Sequence, residues 1–388
     1  MTKNNKNKLK IVYCTPSLYI AGGIERVLTS KVNYLANQGD RYDITIILTD
    51  GEGKLPFYRL SDKIKVINLN IDFEELWHLS FFKKIPVYLK KQQKYKRLLT
   101  KTLMDLRPDI TITTLRREVN FITSIPDGSK KVGELHITRG HYRNFDPEDS
   151  SFVKRMFSKW WMRQLVGKLK RLDKFVVLTH EDMHAWQKDL PNVCVIPNPL
   201  STIPVSRSSL DEKRVIAVGR YSHEKGVDLL LQAWSRVEME LPDWSLTVFG
   251  AGDRLPFLKQ SKELMLNDSK CELCGPVDNI AEEYLGSSIF VFSSRFEGFG
   301  MALLESMSFG VPPIAFDCPC GPKDIVTDGK DGILVESGNT LELAKAIVSL
   351  AKDAERRKQL ADEAIKTAQK YDIKIIGRQW EELFANLT

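Results

Sequence analysis

Short runs rich in Val and Ile alternate with longer amphipathic stretches along the whole chain, and this pattern does not fit an all-helical or an all-antiparallel fold. The apolar runs fall at 10–14, 43–48, 65–69, 109–113, 132–135, 175–178 and 193–196. After a break they resume at 214–218, 245–249, 270–273, 289–292, 313–316 and 333–335. Continuous apolar runs bounded by turn residues, with helical periodicity between them, indicate parallel strands covered on both faces. The chain is therefore expected to be α/β, with two Rossmann-like doubly wound parallel-sheet domains in series.

The break lies in residues 197–213, rich in Pro and Ser and without apolar period, which reads as a linker. The expected domains are 1–197 and 198–370, a division consistent with 388 residues of ordinary globular composition. In the last segment, Ile375, Ile376, Trp380, Leu383 and Phe384 recur at helical spacing. This helix either caps the second domain or crosses back to the first. Ligands of open parallel sheets bind at the carboxyl ends of the strands, so a central cleft between the two domains is the expected site.

No run of eighteen apolar residues occurs, and the polar, basic start leads directly into a strand-like run rather than a leader sequence. Six cysteines are too few for a secreted disulfide scaffold. The pairs Cys271/Cys274 and Cys318/Cys320 read better as small buried residues than as zinc ligands. A reduced, cytoplasmic protein is expected. Charge is uneven: residues 1–200 hold 35 Lys and Arg against 21 Asp and Glu, and residues 201–388 hold 22 against 29. The first half should therefore favour an anionic partner.

Three motifs fall where strands should end. Gly22 and Gly23 follow the first strand and open a helix, where glycine admits close approach and free N–H groups suit an anion. The fingerprint of a dinucleotide site is incomplete there. Gly219-Arg220 and, five residues on, Lys225-Gly226 follow the first strand of the second domain, and a guanidinium with an ammonium suits the oxygens of a diphosphate. The third motif runs from Ser294 to Glu305. Gly298, Phe299, Gly300 and Met301 join a buried strand to a helix whose first N–H groups suit a terminal phosphate. Glu297 precedes that helix and Glu305 lies within it. A carboxylate accepts two hydrogen bonds at once, which matches adjacent hydroxyls of a sugar or ribose.

The spacing Glu297-x7-Glu305 with Gly-Phe-Gly between resembles the E-x7-E motif of family 4 retaining glycosyltransferases, which have the GT-B fold. Gly22-Gly23, Gly219-Arg220 with Lys225-Gly226, Pro197-Asn198 and 331–335 agree with the same pattern. The resemblance implies that Arg220 and Lys225 hold the donor diphosphate and Glu305 the ribose hydroxyls. It implies that Glu297, with the amides of residues 298–300, holds the transferred sugar. It also implies that a histidine after a first-domain strand faces that sugar. His136 is the best match and His141 its neighbour and competitor. The family's last helix returns to the first domain, which favours the crossing-back course for 371–388. Resemblance further implies a nucleotide-sugar co-substrate, preferably UDP-linked, carrying a hexose or N-acetylhexosamine, with retention of configuration. The acceptor implied is a glycan or a polyprenyl-linked sugar in bacterial surface polysaccharide synthesis, and residues 318–324 point loosely the same way. The loop Tyr221-Ser222-His223-Glu224 departs from many relatives.

No Asp-x-Asp stands at a strand end, so neither a divalent cation nor another cofactor is expected. Residues 83–101 contain eight basic residues and no acid, and residues 154–174 contain eight basic residues, one acid and Trp160-Trp161. Basic faces with interleaved aromatics suit an anionic membrane, here the inner face of the plasma membrane. No recognition motif supports nucleic acid. Two alternatives to transfer are a sugar-nucleotide epimerase of the same fold and a non-catalytic nucleotide-sugar-binding protein. The second would have no need of Glu297 and His136.

Overall fold

A computed structural model of the chain describes residues 8–142 and 152–388, without the side chains of 81, 82, 152–155 and 157–159. It divides into two compact units, 1–201 with 373–388, and 202–372. The division lies within the break read from composition, four residues beyond the expected boundary at 197. Residues 197–213 hold no helix or strand, yet Ser208 is buried, donating its N–H to Phe309 O (2.8 Å) and its hydroxyl to Ser287 O (2.7 Å). Most of the stretch read as linker is thus pinned to the second unit.

In the first unit the order is β1 (Leu9–Cys14), α1 (Gly23–Ala36), β2 (Tyr42–Leu48), β3 (Lys65–Asn68), α2 (Phe81–Leu106) and β4 (Ile110–Thr113). Then follow β5 (Lys130–Glu134), α3 (Phe152–Leu169), β6 (Lys174–Val177), α4 (His180–Gln187) and β7 (Val193–Val195). The strands form one parallel sheet in the order β3-β2-β1-β4-β5-β6-β7, with Ile11 opposite Ile44 on one side and Ile110 on the other. Four consecutive residues of β1, Ile11 to Cys14, are buried, as a strand covered on both faces requires. On α1, Val27, Leu28, Val32 and Leu35 turn one apolar stripe to the core, and Lys31 joins them there.

The second unit contains β8 (Arg214–Val218), α5 (Val227–Glu240), β9 (Ser245–Phe249), α6 (Leu255–Glu263), β10 (Cys271–Cys274), α7 (Ile280–Leu285) and β11 (Ile289–Phe292). It continues with α8 (Met301–Ser308), β12 (Pro313–Asp317), α9 (Pro322–Ile325), β13 (Ile333–Glu336), α10 (Thr340–Lys352) and α11 (Ala354–Gln369). Its six strands are parallel in the order β10-β9-β8-β11-β12-β13. All thirteen expected strands exist, with ends shifted by at most two residues. The largest shift is at β5, which begins at Lys130 because buried Lys131 pairs with Asp127 and so is tolerated inside a strand.

The last helix, α12 (Ile373–Ala385), belongs to the first unit and packs on α1. Ile376, Trp380 and Phe384 share its buried face at four-residue spacing. Gly377 sits against Tyr34 so closely that a Cβ there would come within 2.2 Å of the ring. Each sheet reverses its strand order once, between β1 and β4 and between β8 and β11, and at these switch points the loops diverge and leave room for a ligand.

Candidate functional site

Two loops meet at the second switch point. The loop after β8 is anchored by Tyr221, whose buried hydroxyl lies 2.9 Å from both Val248 O and Cys274 O. Gly226 follows in the left-handed region (φ 61°), where a Cβ would stand 2.0 Å from Ser293 O. Only glycine lets this loop abut the end of β11. Ser293 donates its hydroxyl to Lys225 O (3.0 Å) and Arg295 its N–H to Glu224 O (2.8 Å). The Arg295 guanidinium grips both oxygens of Asp228 at 2.7 and 2.6 Å, a bidentate clamp that fixes the second loop on α5.

This stitching brings the second and third sequence motifs together. Lys225 Nζ lies 2.7 Å from Glu297 Oε1, and Ser294 donates its hydroxyl to the same oxygen at 2.6 Å. Glu297 is 8% exposed and the Lys225 side chain 22%, so the pair is half removed from water. Glu297 N–H donates to Pro319 O (3.2 Å), tying its backbone to the segment after β12. Arg220 differs: its side chain is 68% exposed and is paired with Glu224. Gly219 lies beneath Lys225, where a Cβ would touch the Lys225 stem at 3.4 Å.

Gly298 is half-buried, and Phe299 is buried with its ring edge-on to Tyr371 at 5.8 Å. Gly300 then caps α8 at φ 102°, a conformation glycine adopts freely, so that the helix starts abruptly at Met301 with its first N–H groups unbonded within it. Glu305, one turn into α8, is half-buried. Lys225, Glu297 and the N-terminus of α8 thus lie at one switch point, a combination that can hold an anion and hydroxyls together.

The first unit holds the remaining sequence-derived residues. Gly22, half-buried and extended, precedes α1, and Gly23 opens it with open space where a Cβ would be. His136 follows β5, its side chain 6% exposed, with Nε2 3.3 Å from Glu134 Oε1. The other Glu134 oxygen accepts from Lys31, which is 1% exposed. Burial pushes the Glu134 carboxyl up, but Lys31 and His136 outweigh it and hold the group at about 2. His141 Nδ1 lies 3.1 Å from Thr138 Oγ1. The turn bearing it is held by Asp182, which accepts from Arg139 N–H (2.8 Å) and from Trp186 Nε1 (3.2 Å). Burial pushes Asp182 up to about 6 against those donors.

Sequence reasoning missed Tyr221 as an anchor, Ser294 as a second donor to Glu297, Glu224 as the partner of Arg220, and the Lys31–Glu134 pair. Glu134 carried a signal, an acid inside an apolar run two residues before His136, and Tyr221 and Glu224 stood out only as part of a loop that departs from the family pattern. Cys271 and Cys274 end opposite sides of β10 and Cys318 and Cys320 follow β12. Among the described residues no three His, Cys, Asp or Glu side chains gather as a metal site needs.

The parallel-sheet architecture of the two units is that of the GT-B fold. The S. aureus TarM mutant solved with Fondaparinux, alpha-GlcNAc-glycerol and UDP superposes with a TM-score of 0.75 at 16% identity, over 97% of this chain and 99% of that one. Residues 202–367, nearly all of the second unit, match the model of the family Glycosyl transferases group 1. Similarity to an uncharacterized glycosyltransferase of Haemophilus influenzae runs at 28% identity over 380 residues, 96% of this chain and 99% of that protein. The GalNAc-alpha-(1->4)-GalNAc-alpha-(1->3)-diNAcBac-PP-undecaprenol alpha-1,4-N-acetyl-D-galactosaminyltransferase of Campylobacter jejuni is 25% identical over 381 residues, 95% of this chain and 96% of its own length.

Proposed function

We propose that this protein is a retaining glycosyltransferase of family 4 that moves a hexosyl or N-acetylhexosaminyl group from a UDP-sugar to a glycan or polyprenyl-linked acceptor in surface polysaccharide synthesis. The observation that carries the reading is the Lys225–Glu297 contact, which joins the diphosphate motif to the sugar motif at one switch point. In this reading Arg220 and Lys225 take the diphosphate, exchanging Glu224 and Glu297 for phosphate oxygens. Glu305 takes the ribose hydroxyls. Glu297, freed from Lys225, takes hydroxyls of the transferred sugar beside the amides of Gly298 to Met301. Gly22 and Gly23 admit the donor closely, and His136, rather than His141, faces the sugar. UDP is preferred because TarM was solved with it.

Cleavage of the anomeric C–O bond leaves negative charge on the β-phosphate. Two cations and a helix N-terminus stabilise that charge, and one such donor contributes about 3–4 kcal/mol. The leaving phosphate then takes the acceptor proton on the same face, which needs neither an enzyme nucleophile nor a metal.

The enzyme would work at the cytoplasmic face of an anionic membrane. Among the described residues no helix is long and apolar enough to cross one. On α2, Lys83, Lys90, Lys94, Arg97 and Lys101 are exposed along the side opposite buried Tyr95 and Leu99, and Ile85 and Leu89 are exposed at its start. In the second basic stretch Trp160 is 55% exposed, and the side chains of Lys154, Arg155 and Lys159 lie outside the described residues. Liposomes containing anionic lipid should sediment the protein at low salt. Equal binding to neutral vesicles would remove this part of the reading.

The main test is a thermal-shift panel of nucleotide sugars followed by nucleotide release with and without acceptor, and NMR of the product's anomeric configuration. Acceptor-dependent release with retention is expected. Donor turnover without nucleotide release would favour an epimerase, and binding without turnover a binding protein.

A further inference from the structure

A buried charge cluster in the first unit is not explained by packing alone. Lys31 of α1 points into the core, where an ammonium is costly unless paired. Its amine lies 4.1 Å from the centre of the Trp380 ring of α12 and 5.2 Å from that of Tyr13 of β1. Glu134 of β5 is 2% exposed and gives one oxygen to Lys31 and the other to His136. Two groups, Lys31 of α1 and His136 just after β5, therefore share one carboxylate beneath the returning helix. Tyr13 is the other titratable side chain against them, and burial raises its hydroxyl well above the usual range, so it stays neutral.

We propose that Glu134 is a positioning residue for His136 that fixes a ring proton on Nε2, while Lys31 holds the other carboxylate oxygen and keeps Glu134 in place. The logic is electrostatic. A carboxylate 3.3 Å from Nε2 accepts from it, so the proton resides there and Nδ1 is left as an acceptor. Lys31 takes the other Glu134 oxygen, so the carboxylate is held on both sides. With its proton on Nε2 the ring is a donor on one side and an acceptor on the other, which suits a sugar hydroxyl donating to Nδ1. That last step rests on the proposal that His136 faces the transferred sugar. A purely structural Lys31–Glu134 staple between α1 and β5 would hold the helix equally well and leave the ring's tautomer unset.

The test uses the full chain labelled with 15N-histidine, with His136 assigned by the loss of its signals in His136→Gln. Long-range 1H–15N spectra report the tautomer, and acceptor-dependent nucleotide release reports transfer. In the wild type a single Nε2–H tautomer is expected at neutral pH. Glu134→Gln should give mixed tautomers, with the Nε2–H share falling to about half, because an amide can donate as well as accept. Lys31→Met should keep the tautomer, because the Glu134 oxygen that faces Nε2 is not the one that Lys31 holds. Because Glu134→Gln strands a buried ammonium, Lys31→Met/Glu134→Gln serves as the second variant, with folding checked by circular dichroism. An unchanged tautomer in either Glu134 variant overturns the proposal, as does a mixed tautomer in Lys31→Met. If the tautomer responds but His136→Ala transfers sugar normally, the positioning device stands and the sugar-facing role of His136 falls.

Discussion

Lys225→Met separates the stabilising and the chemical roles of one ammonium. In the free protein Lys225 Nζ is 2.7 Å from Glu297 Oε1, with the two side chains 22% and 8% exposed. Exposed pairs contribute about 0–1 kcal/mol and breaking fully buried ones costs about 3–5, so this half-buried pair should cost about 1–2. Ser294 continues to donate to the same Glu297 oxygen at 2.6 Å, which holds the loss near the lower end. That lowers Tm by roughly 2–8 °C for a unit of this size. During transfer the same amine would face the departing diphosphate, where removing one of two cations costs about 3–4 kcal/mol, a few hundredfold in kcat/KM. The assay is acceptor-dependent nucleotide release at a temperature well below the variant's Tm, beside thermal unfolding of the free protein. A variant that loses less than about tenfold in kcat/KM, or whose loss disappears on cooling, refutes the assignment of Lys225 to the leaving group.

The two carboxylates of the third motif should part company: Glu305→Ala weakens binding of every donor, seen as a raised KM, whereas Glu297→Ala chiefly lowers kcat. Equal small effects would overturn both roles. Gly226→Ala forces a side chain into the left-handed region and against Ser293 O, so it should destabilise by about 1–3 kcal/mol and depress transfer by displacing Lys225; a wild-type Tm would show that the loop yields freely. Asp182, raised from 3.8 to about 6 by burial, favours the folded state when neutral. That contribution is full below about pH 4 and lost as pH rises through about 6, so relative to Asp182→Asn the wild type should lose up to about 3 kcal/mol between pH 4 and 7 in urea unfolding. A difference that is flat with pH, or that grows in the wild type's favour, contradicts it.

The alternation of apolar runs made the parallel sheets readable because strands buried on both faces must be continuously apolar, and Ile289–Phe292 is so from end to end. Boundaries blurred where a polar residue was buried with its partner, as at Lys131 with Asp127, since a one-dimensional pattern carries no information about who is adjacent in space. The same limit explains the site. Glycines at 226 and 300 and the carboxylates at 297 and 305 are local features of turns and helix starts, and spacing reveals them. The Lys225–Glu297 contact spans 72 residues of sequence and the Lys31–Glu134 contact 103, and only the sheet order makes them neighbours. Tyr221 was legible only as a departure in a loop, because its anchoring role depends on two carbonyls from other strands.

The return of α12 to α1 makes the first unit discontinuous in sequence, with the whole of the second unit inserted between its parts. During synthesis the ribosome therefore delivers every strand of both sheets before the residues that shelter Lys31. The second unit can complete its core while the first still lacks a wall, and Trp380 arrives as a late closing piece. Nicking the backbone near residue 372 would leave the second unit's internal contacts whole but uncouple that piece from the rest, so maturation of the first unit waits until synthesis has passed α12.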